Sequence, residues 1–141
     1  MKVVLVTCVK EKDTKAVAAE HMYKSTYFSY LMAYAKTLKA DKIFILSAKH
    51  GLLPLDKVIE PYDETLIGKP AQEIEKWAKR GFTQMQEEQL PEDTEYIFLA
   101  GAKYRKYLQP MLKNTKMPLE GLGIGSQMGA IRRILMEVGN D

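Results

Sequence analysis

Three short apolar runs stand out from an otherwise mixed chain, each closed by polar or structure-breaking residues. Val3 to Val9 (VVLVTCV) is β-branched and almost continuously apolar, the pattern of a strand covered on both faces, as at the centre of a parallel sheet. Asp41 to Ser47 (DKIFILS) and Tyr96 to Ala100 (YIFLA) read as further buried strands, and Pro118-Leu119 is expected to add a brief fourth. Between the strands the spacing of apolar residues changes to three and four. A polar loop, Lys10 to Thr14, leads into a helical region in two parts. The stronger part starts at Ser25, a suitable N-cap, and carries Phe28, Leu31, Met32, Ala35 and Leu38 on one face. Pro70 to Leu90 is helical again, with Ile74, Trp77, Ala78, Phe82 and Met85 facing inward; Lys69-Pro70 suits its start and Pro91 ends it. Tyr104 to Leu112 outlines a short helix with Pro110 awkwardly inside it. Ser126 to Val138 forms the last, with Met128, Ile131, Leu135 and Val138 facing in.

Strands alternating with helices predict an α/β fold: a three-layer, Rossmann-like open sheet, mostly parallel, of about four strands with helices on both faces. The 141 residues show neither an internal repeat nor a change of composition, so a single domain over residues 1–141 is expected. With 46% hydrophobic and 28% charged residues the chain can bury a core without staples and lies far from disordered composition. Cys8 is the one cysteine, which excludes an internal disulfide, and no Cys/His spacing suits zinc. A reducing, cytoplasmic setting without metal or cofactor follows as the expectation. Val3 to Val9 is too short to span a bilayer and lacks a cleavage site, so neither signal nor membrane anchor is expected there. A net charge of +3 admits nucleic acid as a partner but falls short of a dedicated basic stripe.

In open parallel sheets ligands bind beyond the carboxyl ends of the strands, where loops converge with free backbone N–H groups. The residues that look out of place fall there: Cys8, Lys10 and Lys12 after strand one, Ser47, Lys49, His50 and Gly51 after strand two, Gly101 after strand three, and Gly121, Gly123 and Gly125 before the last helix. From Ala48 to Lys69 the chain carries Gly51, Pro54, Pro61 and Gly68, too many breakers for a regular element; loops longer than about 12 residues in compact domains tend to be functional. In that segment Ser47 offers a hydroxyl, Lys49 a fixed charge, His50 a proton exchangeable near neutrality, and Gly51 a turn that a side chain would forbid. Asp56, Glu60, Asp63 and Glu64 supply carboxylates. Asp63, beside Pro61-Tyr62, is preferred as the group that positions water or stabilises a developing cation. An ordinary loop in which His50 and Asp63 bond to the backbone explains the same residues. Gly121 to Gly125 (GLGIG) resembles a phosphate-cradling turn, but Gly129 falls one place late for G-x-G-x-x-G, and close helix packing explains the glycines about as well. Cys8 is included as a ligand-facing position, although a buried, inert thiol is the commoner use of such a residue. Tyr23, Tyr27, Tyr30 and Tyr34 form a helical stripe suited to core or partner packing, and a homodimer is one option for the assembly.

On these residues the chain resembles a family of small bacterial and phage proteins without a settled activity. The shared features are Cys8-Val9-Lys10, Tyr23-Lys24-Ser25, ILSAKHGLL, EPYDETL and Pro118 to Gly125. The block with Gly51-Leu52-Leu53 and Ile59-Glu60-Pro61-Tyr62 also looks like a part of the YaaA peroxide-stress family and of archaeosine-forming enzymes related to tRNA-guanine transglycosylases. That likeness implies nucleobases or nucleic acid. The expected activity is an enzyme acting on a nucleotide, nucleoside or nucleobase, at an N-glycosidic bond. Catalysis would fall to His50 as proton donor and Asp63, with Tyr62 stacking on a base. Lys10, Lys49, Gly123 and Gly125 would hold phosphate, and Cys8, Lys12, Ser25, Ser47, Gly51 and Gly101 would line the site. The rival expectation is a nucleotide or nucleic-acid binding module without catalysis.

Overall fold

The computed structural model describes residues 1–139. Strand β1 (Lys2–Thr7) lies at the centre of a five-stranded sheet of order β4-β3-β1-β6-β7, in which β3 is Lys42–Ser47, β4 Gly51–Pro54, β6 Glu95–Leu99 and β7 Asn114–Lys116. β1 pairs in parallel with both β3 and β6, and β6 in parallel with β7; only β4 runs antiparallel, folded back on β3 as a hairpin. A two-stranded ribbon, β2 (Val17–Ala18) with β5 (Val58–Ile59), lies apart from the sheet.

Residues alternate between the faces of a strand, so β1 feeds two cores. Val4 and Val6 join Ile45, Ile97 and Leu99 in packing under helix α2 (Thr26–Thr37) and against Ile131 of α5 (Ile124–Gly139). Val3 and Leu5 join Phe44, Leu46 and Phe98 on the other face, beneath Ile74, Trp77 and Met85 of α3 (Ala71–Glu87) and Tyr104 of α4 (Ala102–Arg105). With helices on both faces, all of Val3 to Val6 is inaccessible to solvent, which is why that run is apolar without alternation. The expected three-layer, mostly parallel α/β architecture is present.

Several boundaries differ from the sequence expectation. Among the described residues the sheet has five strands, not about four, because the supposed irregular segment after Ser47 contains β4; the same segment also holds β5, which pairs with β2 outside the sheet. Leu52 and Leu53 form too short a run to carry a period; β4 exists because the free edge of β3 offers it a ladder. The last strand lies at Asn114–Lys116, not at Pro118-Leu119. As a polar edge strand it gives no hydrophobic signal, while Pro118 has no N–H to donate. The helix expected over Tyr104 to Leu112 is broken: α4 ends at Arg105, and Pro110 lies within a separate 3-10 turn, Gln109–Met111, because an interior proline removes a helical N–H bond. The two-part helical region is α1 (Ala19–Met22) and α2, and the Ser25 hydroxyl does cap α2, accepting from the Phe28 N–H at 3.0 Å. Tyr23 stands outside α2, so the tyrosine stripe begins at Tyr27. Val138, expected to face inward, is exposed. No helix among the described residues is long and apolar enough to cross a membrane.

Candidate functional site

Parallel pairing brings the loops after β1, β3, β6 and β7 to one edge of the sheet. From β1 the chain crosses to β3 on one side, and after β4 it returns to place β6 on the other. The connections therefore diverge between β1 and β6. Adjacent loops part at such a point and leave a crevice.

On the β3 side of β1 the predicted residues fold into a closed polar knot. Tyr62 is buried, with its hydroxyl 2.8 Å from Ser47 Oγ and 2.6 Å from the Tyr23 hydroxyl. Ser47 Oγ also accepts from the His50 N–H, and the Ser47 carbonyl accepts from Trp77 Nε1 at 2.8 Å. The Lys12 ammonium covers the Tyr62 ring at 4.5 Å from its centre, and the His50 ring meets it edge-on at 5.5 Å. A backbone bridge between Lys12 and Tyr23 secures this arrangement, backed by Asp13 N–H to the Met22 carbonyl and Lys24 N–H to the Glu11 carbonyl. Burial pushes the Tyr23 phenol up to about 12 and drives Tyr62 higher still, so both stay protonated.

This geometry changes three expected roles. Tyr62 cannot stack on a base, since lysine, histidine and tyrosine already enclose its ring. Ser47 has no solvent-facing surface and spends its hydroxyl on Tyr62 and His50, so it shapes the hairpin instead of touching a ligand. His50 is held below its usual value, first by burial and then by Lys49, Lys57 and Arg80. It is thus mainly neutral near pH 7 and suited to accept a proton, not to donate one as an acid; its Nε2 is buried with no hydrogen-bond partner among the described residues.

The remaining predicted positions are dispersed. Lys10, Lys49 and Asp63 are exposed. The Lys10 carbonyl accepts from Lys12 Nζ and the Lys49 carbonyl from Arg80 Nη2. Gly51 has φ +72°, and the backbone on either side of it is gripped by Gln84, which accepts from the Leu52 N–H and donates to the His50 carbonyl. Ser25, committed to capping α2, borders a wide groove of about 620 Å³ along α1 and α2 that is open to solvent.

Beyond β6 lies a tighter crevice of about 130 Å³. Its walls include Ala100 and Gly101 at the end of β6, Gly121 and Leu122 of the bend before α5, and Tyr27 from α2. Gln127 on α5 accepts from the Tyr27 hydroxyl at 2.6 Å and donates to the Leu122 carbonyl, tying α2, the bend and α5 together. Gly101 is therefore in the crevice, whereas Gly123 and Gly125 stand outside its lining. Gly121, at φ +84°, is the glycine the bend requires; a Cβ at 123 or 125 would meet nothing within 4 Å, so helix packing does not account for those two. The Cys8 thiol, just past the end of β1, lies 3.2 Å from the Tyr104 hydroxyl of α4, and neither residue lines the crevice. Arg105, unremarked in the sequence, also lines the crevice; a lone arginine between Tyr104 and Lys106 carries no pattern by which to find it.

Residues 3–133 match a protein family described as a family of unknown function (DUF6884). The chain is also similar to the uncharacterized protein YfjM of Bacillus subtilis (strain 168), 33% identical over 150 residues that cover 94% of each chain. No solved structure matches.

Proposed function

Because this chain belongs to the DUF6884 family, described as of unknown function, its role has to be read from its own surface, and we propose that it binds a nucleotide, nucleoside or nucleobase in the crevice between the end of β6 and the Gly121 bend. One observation carries this: the tightest crevice described lies beyond the carboxyl end of β6, against the segment that follows β7, at the edge of the sheet where open α/β folds hold their ligands. At about 130 Å³ it is smaller than the roughly 300–1,000 Å³ that encloses a drug-sized molecule, so it accommodates one ring or one phosphoryl group with the rest of the ligand outside. Tyr27 and Gln127 supply polar contacts and Leu119 an apolar wall.

A thermal-shift screen of nucleotides, nucleosides and free bases tests this. A ligand at about a hundred times its Kd stabilises the folded state by roughly 2.7 kcal/mol. Gln127→Ala should weaken that shift, and a screen in which none of the three classes raises Tm ends the proposal.

Catalysis at an N-glycosidic bond is a second role, favoured by the neutral, unpartnered His50 Nε2. His50 lies on the β3 side of β1, so a ligand anchored in the crevice must reach across the ends of β6 and β1 to meet it. Chromatography of whichever compound stabilises the protein separates the two roles: an intact ligand means a binding module, a consumed one an enzyme. Full turnover by His50→Gln and Asp63→Ala would remove both residues from the chemistry.

A further inference from the structure

Resting on the crevice as a ligand site, we infer that Arg105 is its anion anchor and that the ligand carries a phosphate monoester or an equivalent dianionic oxyanion. The Arg105 side chain is only 19% exposed and lines the crevice. Its Nε donates to the Ala100 carbonyl at the end of β6 at 2.9 Å, and its Nη1 donates to Met117 Sδ, a weak acceptor. Both contacts aim the guanidinium without neutralising it. The one carboxylate paired with it among the described residues, Glu120, stands 3.7 Å from Nη1 and is itself 58% exposed, an open pairing worth little. A guanidinium withdrawn this far from water is costly unless a close anion completes its hydrogen bonding. Arginine's planar fork matches two phosphate oxygens at once. Glu120 occupies that place loosely, and an incoming phosphate displaces it.

The consequence is a preference for phosphorylated ligands, arising from Arg105 and opposed by Glu120. Inorganic phosphate, adenosine monophosphate and adenosine serve as probes in titration calorimetry of the wild-type chain and of Arg105→Gln, Arg105→Lys and Glu120→Gln. Phosphate should bind saturably, and the nucleotide at least about tenfold tighter than the nucleoside, since a charge-assisted hydrogen bond contributes roughly 1.5–3 kcal/mol. Arg105→Gln should abolish phosphate binding, Arg105→Lys should retain part of it without the bidentate contact, and Glu120→Gln should tighten it severalfold. Because Glu120→Gln leaves the arginine and its backbone bond in place, it reads the anion site even if Arg105 variants fold poorly. Unchanged phosphate affinity in Glu120→Gln, or no saturable phosphate binding in the wild type, overturns the assignment. Phosphate binding that depends on Arg105, with no nucleotide, nucleoside or base binding better than phosphate, leaves the anchor standing and removes the nucleotide-class proposal. Nucleosides bound as tightly as nucleotides do the reverse.

Discussion

The hydroxyls of Tyr23 and Tyr62 meet at 2.6 Å inside the protein, although one residue precedes α2 and the other follows β5. Ser47 Oγ extends the contact to a chain of three hydroxyls at the carboxyl end of β3. Tyr62 is the middle link, and the loop between β5 and α3 is held on the sheet through it. Lys12, from the loop after β1, closes over the same ring.

The middle position makes Tyr62→Phe the costlier of two matched substitutions. It removes both hydroxyl contacts and strands the buried Tyr23 hydroxyl, for about 2 kcal/mol, whereas Tyr23→Phe removes one contact and leaves Tyr62 bonded to Ser47, for about 1 kcal/mol. Urea midpoints of the two variants and their double mutant should give this order and a non-additive sum. Equal costs that simply add would mean that the hydroxyl chain does not exist in solution.

Gly51→Ala should be among the most disruptive single-methyl changes in the chain. Its φ of +72° costs an alanine about 1–2 kcal/mol, and the added Cβ would run into Gln84 Oε1, expelling the side chain that bonds both Leu52 and His50. A total loss of roughly 2–4 kcal/mol is expected. In a Gln84→Ala background the same change should cost less, because the collision is gone and only strain remains.

The glycines near α5 should divide into two kinds. Gly121→Ala introduces left-handed strain of about 1–2 kcal/mol with no collision. Gly129→Ala, within α5 and meeting only Arg133 Nη1 at 3.9 Å, should instead raise stability by about 0.5–1 kcal/mol. Thermal melts of the two variants should move in opposite directions.

His50 should impose a pH dependence on stability. Unfolded, it binds its proton near 6.5; folded, burial and the neighbouring cations lower that value. Between the two values the unfolded chain holds more protons, so stability falls as pH drops through 6.5, the loss levelling off below the folded value. His50→Gln removes this component. Denaturation midpoints followed from about pH 8 down to about pH 4.5 should therefore converge on, or cross, those of the variant as acidity increases. Parallel curves would show that His50 is as solvated in the folded protein as in the unfolded one.

Much of the architecture was legible along the chain. Continuous apolar runs marked β1, β3 and β6, because a strand covered on both faces has no polar side; three- and four-residue spacing marked α2, α3 and α5, because each buries one stripe. Ser25 as a cap and Gly51 as an obligatory turn were readable from residue chemistry alone. β4 and β7 were not, since an edge strand owes its existence to the neighbour that supplies its hydrogen bonds and needs no hydrophobic signature of its own.

By itself the sequence determined the apolar stripes of the main helices and strands, the α/β class, and the edge of the sheet at which polar residues gather, because hydrophobic period and the alternation of strands with helices are properties of the chain. Only the tertiary structure decided that Ser47 and Tyr62 face each other instead of a ligand, that His50 holds its proton less tightly than a free imidazole, and that Arg105 meets the Gly121 bend. Those outcomes depend on which distant segments share a neighbourhood, and the proton affinity or reach of a side chain follows from neighbours that no local pattern encodes.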